Sequence, residues 1–383
     1  MIKVDYYSSG AVPSGKANGV HIAKMGSALI ESGIDYKLFC TRKGIVDIQT
    51  SVSEYYGLKN EIDSKLAYIS ESNLKLIFNV FRSKIRCCDF VFTRSAKYAY
   101  LATKLGIKTV YEIHAPLLPN SNDDKLMRKI VASRFLAGII VITDSLKGKI
   151  LKDYDELSKD KIHTFADGSD ISELKEPLIQ STKSLIISSG YEFNVGYTGT
   201  AGKGRGLDLI YNIALALPKI GFHIVGMNET GFYQFVDAPT EKRPANLIFH
   251  GFKSSNSIPY YINSFDLLLA PYQNSVLITN KIGETKGTDT GQWMSPIKIF
   301  EYMASGVPFI ASDLIVLREV LNDSNCTLVS PIDSQEWINA ITRFADEPES
   351  FNQKAAIARQ ELEEKYTWEM RAKGIKETIL SCK

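Results

Sequence analysis

Short apolar segments alternate with segments of helical spacing along the first half of the chain. Residues 2–7 and 36–40 read as strands, and residues 20–32 between them carry apolar side chains at helical spacing. Further buried strands are predicted at 90–92, 109–113 and 138–142. This alternation predicts an α/β fold built on a doubly wound parallel sheet.

The pattern stops in the middle of the chain and then restarts. Residues 171–192 are polar and rich in Ser, which predicts an interdomain linker, and a strand and a helix follow at 194–198 and 206–216. We therefore predict two Rossmann-like domains, 1–187 and 188–365, facing a central cleft. Ligands of such sheets bind beyond the carboxyl ends of the strands.

The sequence predicts neither a membrane-spanning segment nor a signal peptide. Among its 383 residues no run of 18 uncharged apolar residues occurs, and no signal-peptide pattern opens the chain, so we expect a cytoplasmic protein. Five cysteines without a Cys-x-x-Cys pair predict reduced thiols.

The charge of the chain is uneven. Residues 1–187 hold 27 Lys and Arg against 21 Asp and Glu, a net charge of +6, whereas residues 188–383 hold 18 against 22, a net charge of −4. The basic half predicts an anionic partner, such as the inner surface of a membrane.

Two stretches, 74–86 and 125–135, mix large apolar residues with Lys and Arg. Such helices can lie on anionic membranes. An ordinary amphipathic helix with a solvated basic face is the alternative, and the sequence leaves both open. Nucleic acid is disfavoured as a partner, because no strongly basic surface with interleaved aromatic residues is present.

Residues 295–313 predict a helix that ends at a glycine and is followed by a buried strand. Ser295 suits the N-cap, and Pro296 suits the first helical position. Lys298 and Glu301 are three residues apart, so they share one face near the helix N-terminus, where phosphate binds favourably. A cation beside phosphate, with a carboxylate that accepts hydrogen bonds from sugar hydroxyls, predicts a site for a nucleotide diphosphate.

A glycine-rich turn provides a second phosphate-binding feature. Between Gly199 and Gly206, Lys203 and Arg205 place two cations at the start of the next helix. The glycine spacing does not fit Gly-x-Gly-x-x-Gly, so a dinucleotide fingerprint is not supported. A tight turn with solvated basic residues is the alternative.

The first half contains two further candidates. Gly15 and Lys16 end a near match to a P-loop, but Ala17 stands where a magnesium-binding hydroxyl is needed, so an NTPase is disfavoured. That loop can still face a phosphate or a sugar. His114 follows the strand at 109–113, where it can donate a hydrogen bond to a sugar oxygen, although a structural histidine is the alternative. No cluster of His, Cys, Asp and Glu has zinc spacing, so no metal is expected.

Residues 273–294 are polar and lack periodicity. A structureless segment of this length is uncommon unless it is functional or disordered. Because it directly precedes the helix that begins near Ser295, we interpret it as an active-site loop, with plain disorder as the alternative.

Together these segments resemble the family 4 retaining glycosyltransferases with a GT-B fold, over nearly the whole chain. The most specific match is 295–313 with Leu317-Arg318-Glu319, and similar motifs occur at 93–94, 111–114, 167–170, 199–206 and 366–371. The resemblance implies two Rossmann-like domains, a nucleotide sugar held mainly by the second, and a last helix within 366–383 that packs back on the first. It implies sugar transfer from a UDP- or GDP-sugar to a hydroxyl of a glycan or lipid-linked acceptor in bacterial surface polysaccharide synthesis. No metal or other cofactor is expected.

The resemblance also implies roles for individual residues. Glu301 would bind the ribose hydroxyls, Arg205 would hold the diphosphate, and His114 would approach the transferred sugar. The expected catalytic residues are His114, Arg205 and Lys298; the other donor contacts are Gly19, Gly199, Lys203, Thr290, Ser295 and Glu301, and the acceptor-side contacts are Gly15, Lys16 and Arg94.

One position departs from the family pattern. Trp293 stands where many members have a glutamate, eight residues before the ribose glutamate. The contact of that carboxylate with the donor sugar is therefore open. Two rival functions follow, a GT-B-type sugar-nucleotide epimerase and a non-catalytic nucleotide-sugar-binding protein.

Overall fold

Parallel sheets covered by helices form both structural units of the chain. The structure is a computed structural model that describes residues 1–42, 44–70, 73–171, 173–237, 243–278 and 287–382. One unit comprises Met1–Asp167 with Trp368–Lys383, and the other comprises Gly168–Thr367.

The sheet of the first unit has seven parallel strands in the order β3-β2-β1-β4-β5-β6-β7. Strands such as β4 and β6 are buried along their whole length, as expected when helices cover both faces of a parallel sheet. The strands are β1 Lys3–Ala11, β2 Asp35–Thr41, β3 Leu66–Ile69, β4 Phe90–Thr93, β5 Lys108–Ile113, β6 Leu136–Val141 and β7 Ile162–Thr164. The helices between them are α1 Ala17–Glu31, α2 Val52–Tyr56, α3 Asn73–Ile85, α4 Ala96–Lys104, α5 Asn122–Val131 and α6 Asp144–Asp153.

The sheet of the second unit has six parallel strands in the order β10-β9-β8-β11-β14-β15, and a two-stranded antiparallel hairpin, β12–β13, lies apart from it. Its strands are β8 Asn194–Thr198, β9 Gly221–Val225, β10 Leu247–Gly251, β11 Leu267–Ala270, β12 Leu277–Ile278, β13 Thr288–Asp289, β14 Phe309–Ser312 and β15 Thr327–Val329. Its helices are α7 Glu176–Ile187, α8 Leu207–Ala216, α9 Glu229–Tyr233, α10 Ile258–Ile262, α11 Ile297–Ser305, α12 Ser334–Asp346 and α13 Pro348–Glu361.

The last helix, α14 Trp368–Ser381, belongs to the first unit. Arg371 donates hydrogen bonds to the Ala166 carbonyl (2.9 Å) and to Glu112 (2.6 Å), and Lys376 donates to the Ser32 carbonyl. A side chain at Gly374 would collide with Phe165, because an added Cβ would lie 2.4 Å from that ring. These contacts fix α14 on α1 and on the strand ends of its own unit.

The predicted fold class, two parallel α/β units of Rossmann type, is confirmed. The division between units differs from the predicted boundary at 187/188, because it falls after Asp167. Residues 176–187 of the predicted linker form α7, which packs on α10 within the second unit, and the Lys175 amide donates to the Tyr260 hydroxyl (3.4 Å). Only Ile186 of this helix is buried, so its sequence shows little apolar periodicity.

All five cysteines lie within the described residues, and each is a free thiol, as predicted. In the described part of the chain, no helix combines the length and the apolar character that crossing a bilayer requires.

Candidate functional site

The second sheet changes direction between β8 and β11. From β8 the chain proceeds outward through β9 to β10, and it then returns to the other side of β8 to form β11. The segments that follow β8 and β11 therefore leave the sheet in opposite directions at its carboxyl edge. Such a switch point opens a crevice, where ligands of open α/β sheets bind.

The glycine turn after β8 lies directly on the segment that follows β11. Gly204 and Gly206 have φ of +83° and +74°, and an added Cβ would lie 1.9 Å from the Ser275 carbonyl oxygen and 2.0 Å from that of Pro271. The Gln273 amide also donates to the Gly204 carbonyl (2.9 Å). Only glycine permits this close approach of two backbone segments, and the result is a fixed start for α8 at the switch point.

The Arg205 side chain bonds back to the beginning of this turn. Its Nη1 donates to the carbonyl oxygen and to the hydroxyl of Thr200, at 3.0 and 2.6 Å. Its Nε is buried and finds no hydrogen-bond partner among the described residues. A buried donor on a cation is costly to leave unpaired, so this nitrogen indicates a place for an anionic ligand.

Lys298 brings a second cation to the same place from the first turn of α11. Its side chain is buried, and Nζ lies 3.7 Å from the centroid of the Tyr197 ring and 5.0 Å from that of Tyr272. A Cβ at Gly199 would lie 3.2 Å from Nζ, so the amine rests against the glycine turn. Burial and the nearby Arg205 hold the pKa of Lys298 well below its usual range, and Glu301 only partly offsets them. An anion bound here would therefore relieve the repulsion between two cations.

The start of α11 differs from the prediction by one residue. Pro296 has an extended ψ of 122°, so it occupies the N-cap and the helix begins at Ile297. The N-cap residues of α11 and α8 are Pro296 and Gly206, which offer no side-chain acceptor to the N-terminal amides, and a helix N-terminus favours an anion.

The predicted loop 273–294 is ordered by hydrogen bonds where the structure describes it. Asp289 accepts from the Val276 and Gly291 amides, and the Thr290 hydroxyl donates to the Val276 carbonyl (3.1 Å). Thr290 thus already has a structural partner, and Trp293 is half-buried. Residues 279–286, which include Gly283, lie outside the described residues. Lys203 is exposed on the neighbouring turn.

In the first unit, the predicted acceptor-side residues lie at the carboxyl ends of β1 and β4, the switch point of that sheet. Lys16 is exposed at the N-cap of α1, one residue after Gly15, and Arg94 donates to Asn18 Oδ1 (2.5 Å). Gly19 packs tightly, since an added Cβ would lie 2.5 Å from Ser14 Oγ.

His114 belongs to a buried charge network centred on Glu112. Glu112 Oε1 lies 3.0 Å from His114 Nε2, 3.2 Å from His21 Nε2 and 2.6 Å from Arg371 Nη2. Burial opposes ionisation of Glu112, but His21 and Arg371 beside it hold its pKa well below the usual range. His21 also donates a hydrogen bond through Nδ1 to Asp167 (2.9 Å). Burial raises the pKa of Asp167, but the charge and the hydrogen bond of His21 together lower it to about 2.

This network determines which nitrogen of His114 can bind a ligand. An ionised carboxylate can only accept a hydrogen bond. His114 Nε2 therefore carries the ring proton and donates the hydrogen bond to Glu112. Burial and then Arg94 lower the pKa of His114 to about 4, so the ring is neutral near pH 7 and Nδ1 has a free lone pair. The sequence predicted that His114 donates to a sugar oxygen, whereas in this geometry the Nε2 proton already bonds to Glu112 and Nδ1 is an acceptor without a partner among the described residues.

Among the described residues, His21, His114 and Asp167 also form a group whose ligand atoms lie within 4.8 Å of one another. In this group, His21 and Asp167 already bond to each other, and the Arg371 guanidinium acts electrostatically on Asp167. A dication would face that guanidinium, so we interpret the group as part of the charge network.

We expect the His114 ring to stay neutral from about pH 5 to about pH 8. The folded protein then binds fewer protons at His114 than the unfolded chain does between pH 4 and the ordinary value of 6.5. The contribution of His114 to the free energy of unfolding should therefore rise with pH across that window. Carbon-13 NMR of the histidine Cε1 positions checks this, and a His114 midpoint near its ordinary pKa would contradict it.

Residues 192–347 match the family described as glycosyl transferases group 1. The two parallel α/β units have the GT-B fold, and the family match lies within the second unit and covers less than half of the chain. No curated protein sequence matches the chain at a significant level.

Solved structures show the same fold over the whole chain. Anabaena HepE in complex with UDP has a TM-score of 0.74 at 16% identity, covering 99% of this chain and 100% of HepE. Sucrose-phosphate synthase from Thermosynechococcus elongatus has a TM-score of 0.71 at 14% identity, covering 100% and 99%. The UDP-GlcNAc 2-epimerase of Neisseria meningitidis, bound to UDP-GlcNAc, has a TM-score of 0.61 at 14% identity, covering all of both chains. At these identities the likeness concerns the fold alone.

Proposed function

We propose that the protein is a retaining, metal-independent glycosyltransferase that moves a sugar from a nucleotide diphosphate sugar to a hydroxyl. The observation that carries this proposal is the position of Arg205 and Lys298 on one glycine turn, beside the N-termini of α8 and α11, with the buried Arg205 Nε unpartnered among the described residues. Breaking the glycosidic bond places negative charge on the diphosphate. Positioned cations and amides stabilise that charge without a metal ion.

Glu301 and His114 take further roles in the proposed reaction. Glu301 lies one turn after Lys298 on α11, where its carboxylate would accept hydrogen bonds from the ribose hydroxyls. His114 would accept from a hydroxyl of the transferred sugar. As the family resemblance implies, the leaving phosphate itself would take the acceptor proton on the same face of the sugar, so we assign no side-chain nucleophile.

We further propose a uridine nucleotide as the donor, with a guanosine nucleotide as the alternative. HepE holds UDP and the epimerase holds UDP-GlcNAc, which supports uridine. UDP should then raise the apparent unfolding temperature more than GDP does, because a ligand at about 100 times its Kd stabilises a protein by about 2.7 kcal/mol. A thermal-shift panel checks this, and a larger shift with GDP would contradict it.

The proposed acceptor is a lipid-linked glycan of bacterial surface polysaccharide synthesis, reached from the cytoplasm at the inner face of the membrane. The net charge of +6 in residues 1–187 supports this location. A UDP-sugar panel combined with glycan acceptors tests the reaction. We expect release of UDP only when an acceptor is present, an unchanged anomeric configuration by NMR, and full activity in EDTA.

The same assay separates the rival functions. An epimerase would change the donor sugar without any acceptor, and a non-catalytic binding protein would show a thermal shift without turnover. The shared fold with the UDP-GlcNAc 2-epimerase makes this comparison necessary. Either outcome would overturn the transfer proposal.

A further inference from the structure

Helix α3 lies on its sheet with polar residues turned inward. Asn79 and Ser83 are buried. The hydroxyl of Tyr7 donates to the Asn79 carbonyl (2.8 Å) and lies 2.7 Å from Ser83 Oγ, which in turn donates to Asp5 (2.5 Å). These buried hydrogen bonds fix the rotation of the helix about its axis, since turning it would leave several polar groups unpaired.

This rotation leaves large apolar side chains on the outside. Ile77, Phe78, Phe81 and Ile85 are 50%, 60%, 44% and 66% exposed, and their spacing places them on one face. Soluble proteins rarely expose a contiguous apolar patch of this kind unless it binds a partner. We call these four residues, with the exposed Lys75 and Arg82, the α3 outer face.

The charge of this helix indicates the chemistry of the partner. Residues 73–86 contain Lys75, Arg82, Lys84 and Arg86, and no Asp or Glu. Arg86 pairs with Asp5 (3.0 Å) and Lys84 donates to the Leu105 carbonyl (3.0 Å). Lys75 and Arg82 are thus the cations best placed to meet an anionic surface.

Helix α5, which resembled this stretch in sequence, behaves differently. Its apolar residues Met127 and Ile130 are fully buried, and Lys125 and Lys129 are exposed on the opposite side. It is therefore an ordinary amphipathic helix, the alternative that the sequence left open. The comparison leaves α3 as the membrane candidate of the pair.

We propose that the α3 outer face docks on an anionic lipid bilayer. The apolar side chains would enter the boundary between headgroups and acyl chains, and Lys75 and Arg82 would contact lipid phosphates. A second copy of the chain fits less well, because a two-fold contact would bring like charges together with no acidic residue on the helix to offset them. The proposal deepens the membrane location given under the proposed function, but it does not depend on sugar transfer.

Flotation of the full-length protein with vesicles tests this proposal without any substrate. The probes are vesicles of phosphatidylcholine with phosphatidylglycerol and vesicles of phosphatidylcholine alone. The pair Lys75→Glu and Arg82→Glu should weaken binding to the anionic vesicles by about 25-fold or more, because each cation near such a surface contributes about fivefold. The pair Phe78→Ser and Phe81→Ser should weaken it by about tenfold or more.

Two matched pairs serve as controls. Lys125→Glu with Lys129→Glu changes the net charge equally on α5, and Leu185→Ser with Ile187→Ser removes two exposed apolar side chains from α7. Both control pairs should change binding by less than about threefold, because their side chains lie on α5 and α7 and would not contact the bilayer. The proposal is overturned if the wild-type protein does not bind anionic vesicles, or if the control pairs weaken binding as much as the α3 pairs do. Light scattering that shows the α3 pairs dissociating a dimer, with vesicle binding unchanged, would also overturn it.

Discussion

Replacement of Arg205 by alanine is expected to lower kcat/KM for the donor by about 10²–10³-fold, the usual effect of removing one preorganised donor from a charge-stabilising site. Arg205 is held by two bonds to Thr200, while its buried Nε remains without a partner among the described residues. It is therefore positioned before the diphosphate arrives, and little reorganisation is needed when charge develops.

Arg243→Ala provides a matched control for Arg205→Ala. Arg243 lies in the same unit, pairs with Glu229 (2.8 Å) and stacks on Tyr233 (4.4 Å), and it has no place in the proposed site. Steady-state rates at saturating acceptor should fall for Arg205→Ala and stay near the wild-type value for Arg243→Ala. Glu301→Ala should also lose donor binding or turnover. Near-normal rates in both Arg205→Ala and Glu301→Ala would exclude the assigned site.

The second large effect concerns stability. Arg371→Leu should lower the free energy of unfolding by about 3–5 kcal/mol, because removing one partner of a buried ion pair leaves an uncompensated charge. The carboxylate left behind is that of Glu112, whose side chain is fully buried. Its remaining neighbours at 3.2 Å or less are His21 and His114, and the pKa of His114 is too low for that ring to carry a charge near neutral pH.

Urea unfolding, followed through the fluorescence of Trp368 beside His21, measures this loss. Arg359→Leu is the control, because its pair with Glu363 is exposed to solvent and should contribute little. The double variant Arg371→Leu with Glu112→Gln should recover much of the stability, since the amide carries no charge. If the single variant unfolds like the wild type, or the double variant gains nothing, the buried pair does not have the energetic role described.

The sequence predicted much of the fold because the signals are local. Apolar strands that alternate with helical spacing determine a parallel sheet, and the glycines between β8 and α8 mark a turn that no larger residue permits. Lys298 and Glu301 lie one turn apart on one helix, so their shared face followed from spacing alone. Tyr197 and Tyr272, which flank Lys298, were missed, although an aromatic residue near the end of a strand beside the glycine turn was a usable signal.

The charge network could not be predicted from the sequence. Glu112 and Arg371 are 259 positions apart, and only the return of α14 to the first unit brings them together. The tautomer of His114 depends on that network, so the acceptor role that we propose for Nδ1 could not follow from the sequence. The outward apolar face of α3 depends on a hydrogen bond that Tyr7 donates and one that Asp5 accepts, and a helical sequence pattern does not reveal either of them. Helix α7 buries a single apolar residue, so its sequence lacks the apolar periodicity from which a helix is predicted.

A crystal structure of the protein with bound UDP tests the central claim most directly. We expect the diphosphate oxygens within hydrogen-bond distance of the Arg205 guanidinium, the Lys298 amine and the first amides of α11, with the ribose hydroxyls on Glu301. A diphosphate bound away from the β8–β11 switch point, or a Glu301 carboxylate turned away from the ribose, would contradict the account.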